Sequence, residues 1–88
     1  MTEQPEHRLK RLQMRSMRRG IKEMDIILSR YADLRLAGFD AAQLDHYEAL
    51  LSENDQDLYQ WVSGQTSPPD RFRDMIADIS TVAFQRGG

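Results

Sequence analysis

The chain has no cysteine. That single absence excludes a disulfide framework, a thiolate metal site and a thiol nucleophile, and it is compatible with a reducing compartment. Histidine is almost as scarce. His7 and His46 are the only two, and neither sits in the His-x-x-x-His or Glu-x-x-His spacing by which helices hold metals, so His46 reads as a surface residue. The five glycines are scattered without a GxGxxG or Walker pattern, and no phosphate cradle is predicted. No apolar run approaches the roughly 20 residues needed to cross a bilayer, and Met1-Thr2-Glu3-Gln4-Pro5-Glu6 has no apolar signal core. A soluble chain that is neither exported nor inserted in a membrane is expected, and an enzyme is not.

What is present is compact. The 88 residues suit one domain, which at this size buries roughly 60 to 65% of the surface of its unfolded chain. The net charge of −2 conceals an asymmetry: residues 1–30 carry eight Lys/Arg against four Asp/Glu, and residues 31–88 carry four against ten. A dipolar surface, basic at one end and acidic at the other, follows as an expectation.

Hydrophobic periodicity predicts five helices and no strand, an all-α bundle in one domain. Residues 1–6 read as a disordered tail, 7–85 as the domain and 86–88 as a second tail. In helix one, Leu9, Leu12 and Met17 share an arc with Met14 at its margin, while Arg8, Arg11, Arg15 and Arg18 form an outward arginine stripe. Gly20 is expected to end it in the left-handed conformation. Helix two spans Ile21 to Arg35, with Ile21, Met24, Ile27, Leu28, Tyr31 and Leu34 facing inward.

Asp40 and Gln43 form a capping box that starts helix three, and Phe39 can staple onto Leu44. Leu44, Tyr47, Leu50 and Leu51 are its core positions. Asn54 or Asp55 caps a short helix four that buries Leu58, Trp61 and Val62 and stops at Gly64. Ser63-Gly64-Gln65-Thr66-Ser67-Pro68-Pro69-Asp70 reads as a linker and helix start. Helix five then carries Phe72, Met75, Ile76, Ile79 and Val82.

The densest concentration of unusual residues is Arg18-Arg19-Gly20-Ile21-Lys22-Glu23, at a corner between two helices. Helix-dipole complementarity accounts for Arg19 and Glu23 separately. A corner of this kind can also offer charges to a partner while the glycine lets another backbone come close. Asp55 and Asp57 likewise read as first-turn acids, or else as an acidic contact patch.

Arg19, Gly20 and Glu23 match the Arg-Gly-x-x-Glu signature of the small succinate dehydrogenase assembly factors, also called flavinators. Asp25, Tyr47-Glu48-Ala49-Leu50-Leu51 and Asp55-Gln56-Asp57-Leu58-Tyr59-Gln60-Trp61 are similar to further motifs of that family, in the same order. The chain resembles it over roughly residues 10 to 80. Ile21 departs from the methionine common after the signature glycine.

The resemblance implies a five-helix fold and a non-enzymatic factor. Such a factor promotes covalent attachment of FAD to the flavoprotein subunit of succinate dehydrogenase or fumarate reductase. A histidine of the flavoprotein is the nucleophile, and the factor favours a competent domain arrangement by binding it preferentially. Arg19 and Glu23 would supply charged contacts, Gly20 close approach, and Arg18 and Asp25 support. FAD would be the partner's cofactor, with none held stably here, and the factor would be a monomer. The short tails lack the transit peptide of mitochondrial members, so a bacterial, cytoplasmic form is expected.

A separate reading rests on the arginine stripe, which could bind nucleic-acid phosphates or serve an antitoxin-like regulatory module. Net acidity and the lack of interleaved aromatic residues argue against it.

Overall fold

The computed structural model describes residues 4–84. It contains α1 (Pro5–Arg15), α2 (Lys22–Arg35), a 3-10 turn (Leu36–Gly38), α3 (Ala41–Leu51), α4 (Asp55–Ser63), a second 3-10 turn (Asp70–Phe72) and α5 (Arg73–Phe84). The described residues contain five α-helices and no strand, as expected. The expected terminal tails fall largely outside the described range. α1 nevertheless begins earlier than His7, at Pro5, where a proline's missing N–H costs no helical bond.

Local chemistry sets most of the boundaries. Asp40 accepts from the Gln43 amide at 2.8 Å while the Gln43 side chain accepts from the Asp40 N–H at 2.9 Å, closing the capping box. Asn54 accepts from the Gln56 amide at 2.8 Å to start α4. Gly64, at φ 84°, ends it. Glycine tolerates that left-handed backbone without steric cost.

α2 is the central element and packs against α1, α4 and α5. Its inward row runs Met24, Leu28, Ala32 and Leu36, joined by Tyr31, and all are buried. Around this row lie Leu12, Leu44, Tyr47, Leu50, Leu51, Leu58, Val62, Phe72, Ile76, Ile79 and Val82. Tyr31 packs on Tyr47 with the rings tilted at 37° and 5.7 Å apart, and Phe39 meets both rings edge-on at 6.2 and 6.4 Å. Phe72 lies between Trp61 and the half-buried His46.

Two expected core positions, Met17 and Leu34, and the marginal Met14 face solvent. Met14 and Met17 are 59% and 45% exposed, and Leu34 is 56% exposed. α1 stops at Arg15, so Met17 leaves the helical register that would have turned it inward. Ala32 and Leu36 continue the four-residue step from Leu28, which leaves Leu34 on the far side of α2.

The candidate site at the corner between α1 and α2

Ser16 follows the last residue of α1 and is fully buried. Its Oγ donates to the Leu12 carbonyl at 2.8 Å and shares a 2.6 Å hydrogen bond with the Tyr47 hydroxyl, pinning the start of the corner to α3. Two residues on, Arg18 adopts φ 56°, the sole positive-φ non-glycine among the described residues. The reversal therefore occurs at Arg18 and not at Gly20, which corrects the expected left-handed glycine.

The turn at Arg18 sends the next side chain back into the fold. Arg19 is only 11% exposed on its side chain. Its Nε donates to Asp55 Oδ1 at 2.8 Å, Nη1 to the Arg15 carbonyl at 2.9 Å, and Nη2 to the Leu51 carbonyl at 2.9 Å. Those carbonyls belong to the last residues of α1 and α3, the negative ends of two helix dipoles. One guanidinium thus joins two helix C-termini to the acid that opens α4.

The other oxygen of that acid accepts from the Gly20 amide at 2.6 Å. A Cβ at position 20 would lie 3.0 Å from Asp55 Oδ2. A side chain here would crowd the Asp55 carboxylate, which would have to give by a few tenths of an ångström to admit it. Asp55 therefore links the Arg-Gly corner to the acidic-aromatic segment that follows it. Sequence spacing does not reveal this pairing, since the two lie 36 and 35 residues apart.

The remaining candidates face outward. Glu23, the second residue of α2, is exposed and has no ion pair among the described residues. Arg18 is exposed and equally unpaired there, on the lip of a groove shared with Gln13, Met17, Asp25, Ser29 and Asp33. Asp25 is half-buried and accepts from Ser29 Oγ at 3.3 Å. The structure thus brings all five residues to one corner but divides them, with Arg19 turned in and Arg18, Gly20 and Glu23 exposed.

The arginine stripe of α1 is not an open face. Arg8 pairs with Asp45 and, at 3.2 Å, with Glu48. Arg11 meets Glu48 at 3.0 Å and Arg15 does so at 3.7 Å, while Arg15 also donates to Ser52 Oγ at 3.2 Å. The three-residue step from Arg8 to Arg11 matches that from Asp45 to Glu48, so this part of the stripe is an interhelix seam. Hydrogen bonds and charge from Arg11, then Arg8, hold the Glu48 carboxyl below its ordinary range. The seam pairs three cations of the basic half of the sequence with two acids of the acidic half.

Burial pushes the Tyr47 hydroxyl up to about 12, against the opposing effects of its Ser16 hydrogen bond and the Arg19 charge. Burial, and then the 2.8 Å hydrogen bond to Asp78, raise Tyr31 as well. Among the described residues no cluster of His, Asp or Glu is arranged to hold a metal ion. No described helix is long and apolar enough to cross a membrane.

Residues 10–83 match the family model described as the flavinator of succinate dehydrogenase. The chain belongs to this family. Among its curated relatives is a protein of Debaryomyces hansenii named "Succinate dehydrogenase assembly factor 2, mitochondrial". It is 42% identical over 66 residues, covering 72% of this chain and 46% of the relative. A protein of the same name from Meyerozyma guilliermondii is 43% identical over 67 residues, 73% of this chain and 50% of the relative. Another, from Aspergillus flavus, is 37% identical over 78 residues, 89% of this chain and 26% of the relative.

The chain therefore spans between a quarter and a half of the length of these relatives. Their names place them in mitochondria, and that overturns the expected cytoplasmic localisation. Tail length was the sole ground for that expectation, and it carries no weight in a chain that aligns with only part of its relatives.

Proposed function

We propose that this member of the flavinator family is a non-catalytic assembly factor. It binds the flavoprotein subunit of succinate dehydrogenase, with that of fumarate reductase as a second client, and promotes covalent attachment of FAD. The observation that carries this reading is the Asp55 carboxylate, which holds Arg19 and the Gly20 amide together. That arrangement builds a rigid corner with Gly20, Arg18 and Glu23 on its exposed side. The family match and the relatives' names support it.

The factor acts by stabilising the flavoprotein arrangement in which its own nucleophile faces the flavin. FAD remains the partner's cofactor, and the factor works as a monomer. Arg19 contributes by holding the corner in shape, while Glu23 and Arg18 meet the partner and Gly20 leaves room for it. The seam between α1 and α3 leaves little of the arginine stripe for nucleic-acid phosphates.

The test is in-gel flavin fluorescence of the flavoprotein subunit in cells lacking the gene, complemented with wild type, Gly20→Arg or Glu23→Ala. Both variants should lower covalent flavin to about the level of uncomplemented cells while far-ultraviolet circular dichroism of the purified variants stays helical. Normal fluorescence with either variant would overturn the assignment of the corner.

A further inference from the structure

A groove of about 210 Å³ leads away from the corner along the outer side of α2, lined by Glu23, Ile26, Ile27, Tyr59 and Phe84. Glu23 and Ile26–Ile27 are three and four residues apart and so share one face of the helix. Ile26 and Phe84 are 60% and 62% exposed, which makes this the place where two large apolar side chains with no core role meet. At one end the Glu23 carboxylate has no ion pair among the described residues, and the Tyr59 hydroxyl on the wall has no hydrogen bond among them either.

The chemistry of the walls restricts what can fill such a groove. A purely apolar side chain would cover Glu23 without compensating its charge, which is costly. An acidic one would be repelled. A basic side chain satisfies both parts: its methylene stem lies on apolar surface while its head meets a carboxylate, and aromatic faces attract the cation. Tyr59 belongs to the acidic-aromatic segment and Glu23 to the Arg-Gly corner, so the two segments joined inside by Asp55 also share this outer surface.

We propose that this groove is the seat of an arginine or lysine side chain of the flavoprotein partner, its head on Glu23 and its stem along Ile26, Ile27 and Phe84. The inference rests on the assembly reading above and extends the docking surface one turn further along α2 and onto the end of α5. It gives Glu23 a defined role as the acceptor of a partner cation.

The experiment is a titration of the purified full chain against the flavoprotein subunit of succinate dehydrogenase produced without this factor, at several salt concentrations. The variants are Glu23→Gln, Ile26→Ser and Phe84→Ser, with Met14→Ser, an exposed residue on α1, as control. Because all four side chains are exposed, the folds should be unaffected.

Glu23→Gln and Ile26→Ser should each weaken binding by about tenfold, and Glu23→Gln should also flatten its salt dependence, since a screened charge pair is lost. Met14→Ser should bind as wild type. Wild-type affinity in both Ile26→Ser and Phe84→Ser would show the groove to be empty in the complex and overturn the proposal, leaving the assembly reading intact. Weaker binding by Ile26→Ser with unchanged binding by Glu23→Gln would mean an apolar occupant and would overturn the basic one. Absence of binding by the wild-type chain itself would overturn the assembly reading, and this proposal with it.

Discussion

Asp55 has two equally simple descriptions in the sequence, an acid in a helix's first turn or part of an acidic patch, and the structure gives it a third. Its carboxylate is 17% exposed and accepts from both Arg19 and Gly20. Asp55→Ala leaves a guanidinium and an amide short of an acceptor in a half-closed environment, and should destabilise the fold by about 1–3 kcal/mol. Asp57→Ala, two residues on and exposed, should cost about 0.5 kcal/mol or less. Urea denaturation of the two variants checks the contrast, and equal losses would reduce Asp55 to an ordinary helix-start acid. Arg18 shows how far a single residue can mislead: a glycine two positions later is the natural candidate for the left-handed turn, yet the arginine takes it.

Helix starts and stops were legible because their causes are local. Asp40 with Gln43, Asn54 and Gly64 each act on backbone groups within a few residues, so their spacing announces them. Which neighbour an outward face meets is not local, and the arginines of α1 illustrate the limit: periodicity shows a charged row but not the acidic row on α3 that covers it. The depressed Glu48 carboxyl makes that seam sensitive to acid. Its contribution is fully present above the ordinary value of 4.5 and is lost as pH falls through the lower folded value. Glu48→Gln should therefore cost about 0.5–1 kcal/mol at neutral pH, a small figure because the pairs are largely solvated. Thermal melts should show that difference shrinking toward zero as pH falls from 4.5 through the lower folded value.

Two buried tyrosines, Tyr31 on α2 and Tyr47 on α3, tie the bundle together, their rings in tilted contact and their hydroxyls reaching Asp78 and Ser16. Both titrate above their ordinary value of 10.0 when folded. Since only the unfolded chain ionises them readily, their contribution to stability is intact below pH 10 and declines as pH rises toward the folded values. Melting temperature should fall steeply above pH 10, and Tyr47→Phe should flatten that decline at a cost of about 1 kcal/mol at pH 8. An unchanged alkaline limb in Tyr47→Phe would remove this tyrosine from the account.

The fold class and most of the core could be inferred from periodicity, because burial repeats with the helix. The internal bonds of the corner could not, because Arg19 and Asp55 are brought together only by the packing of α1, α3 and α4. That long-range bolt has a kinetic and entropic meaning for recognition. A loop free in solution surrenders its conformational freedom when it docks, at a cost to affinity. In the complex proposed above the corner would meet that cost already during folding, because Arg19 and Gly20 are held by Asp55 before any partner arrives, and binding energy would be left for reshaping the partner.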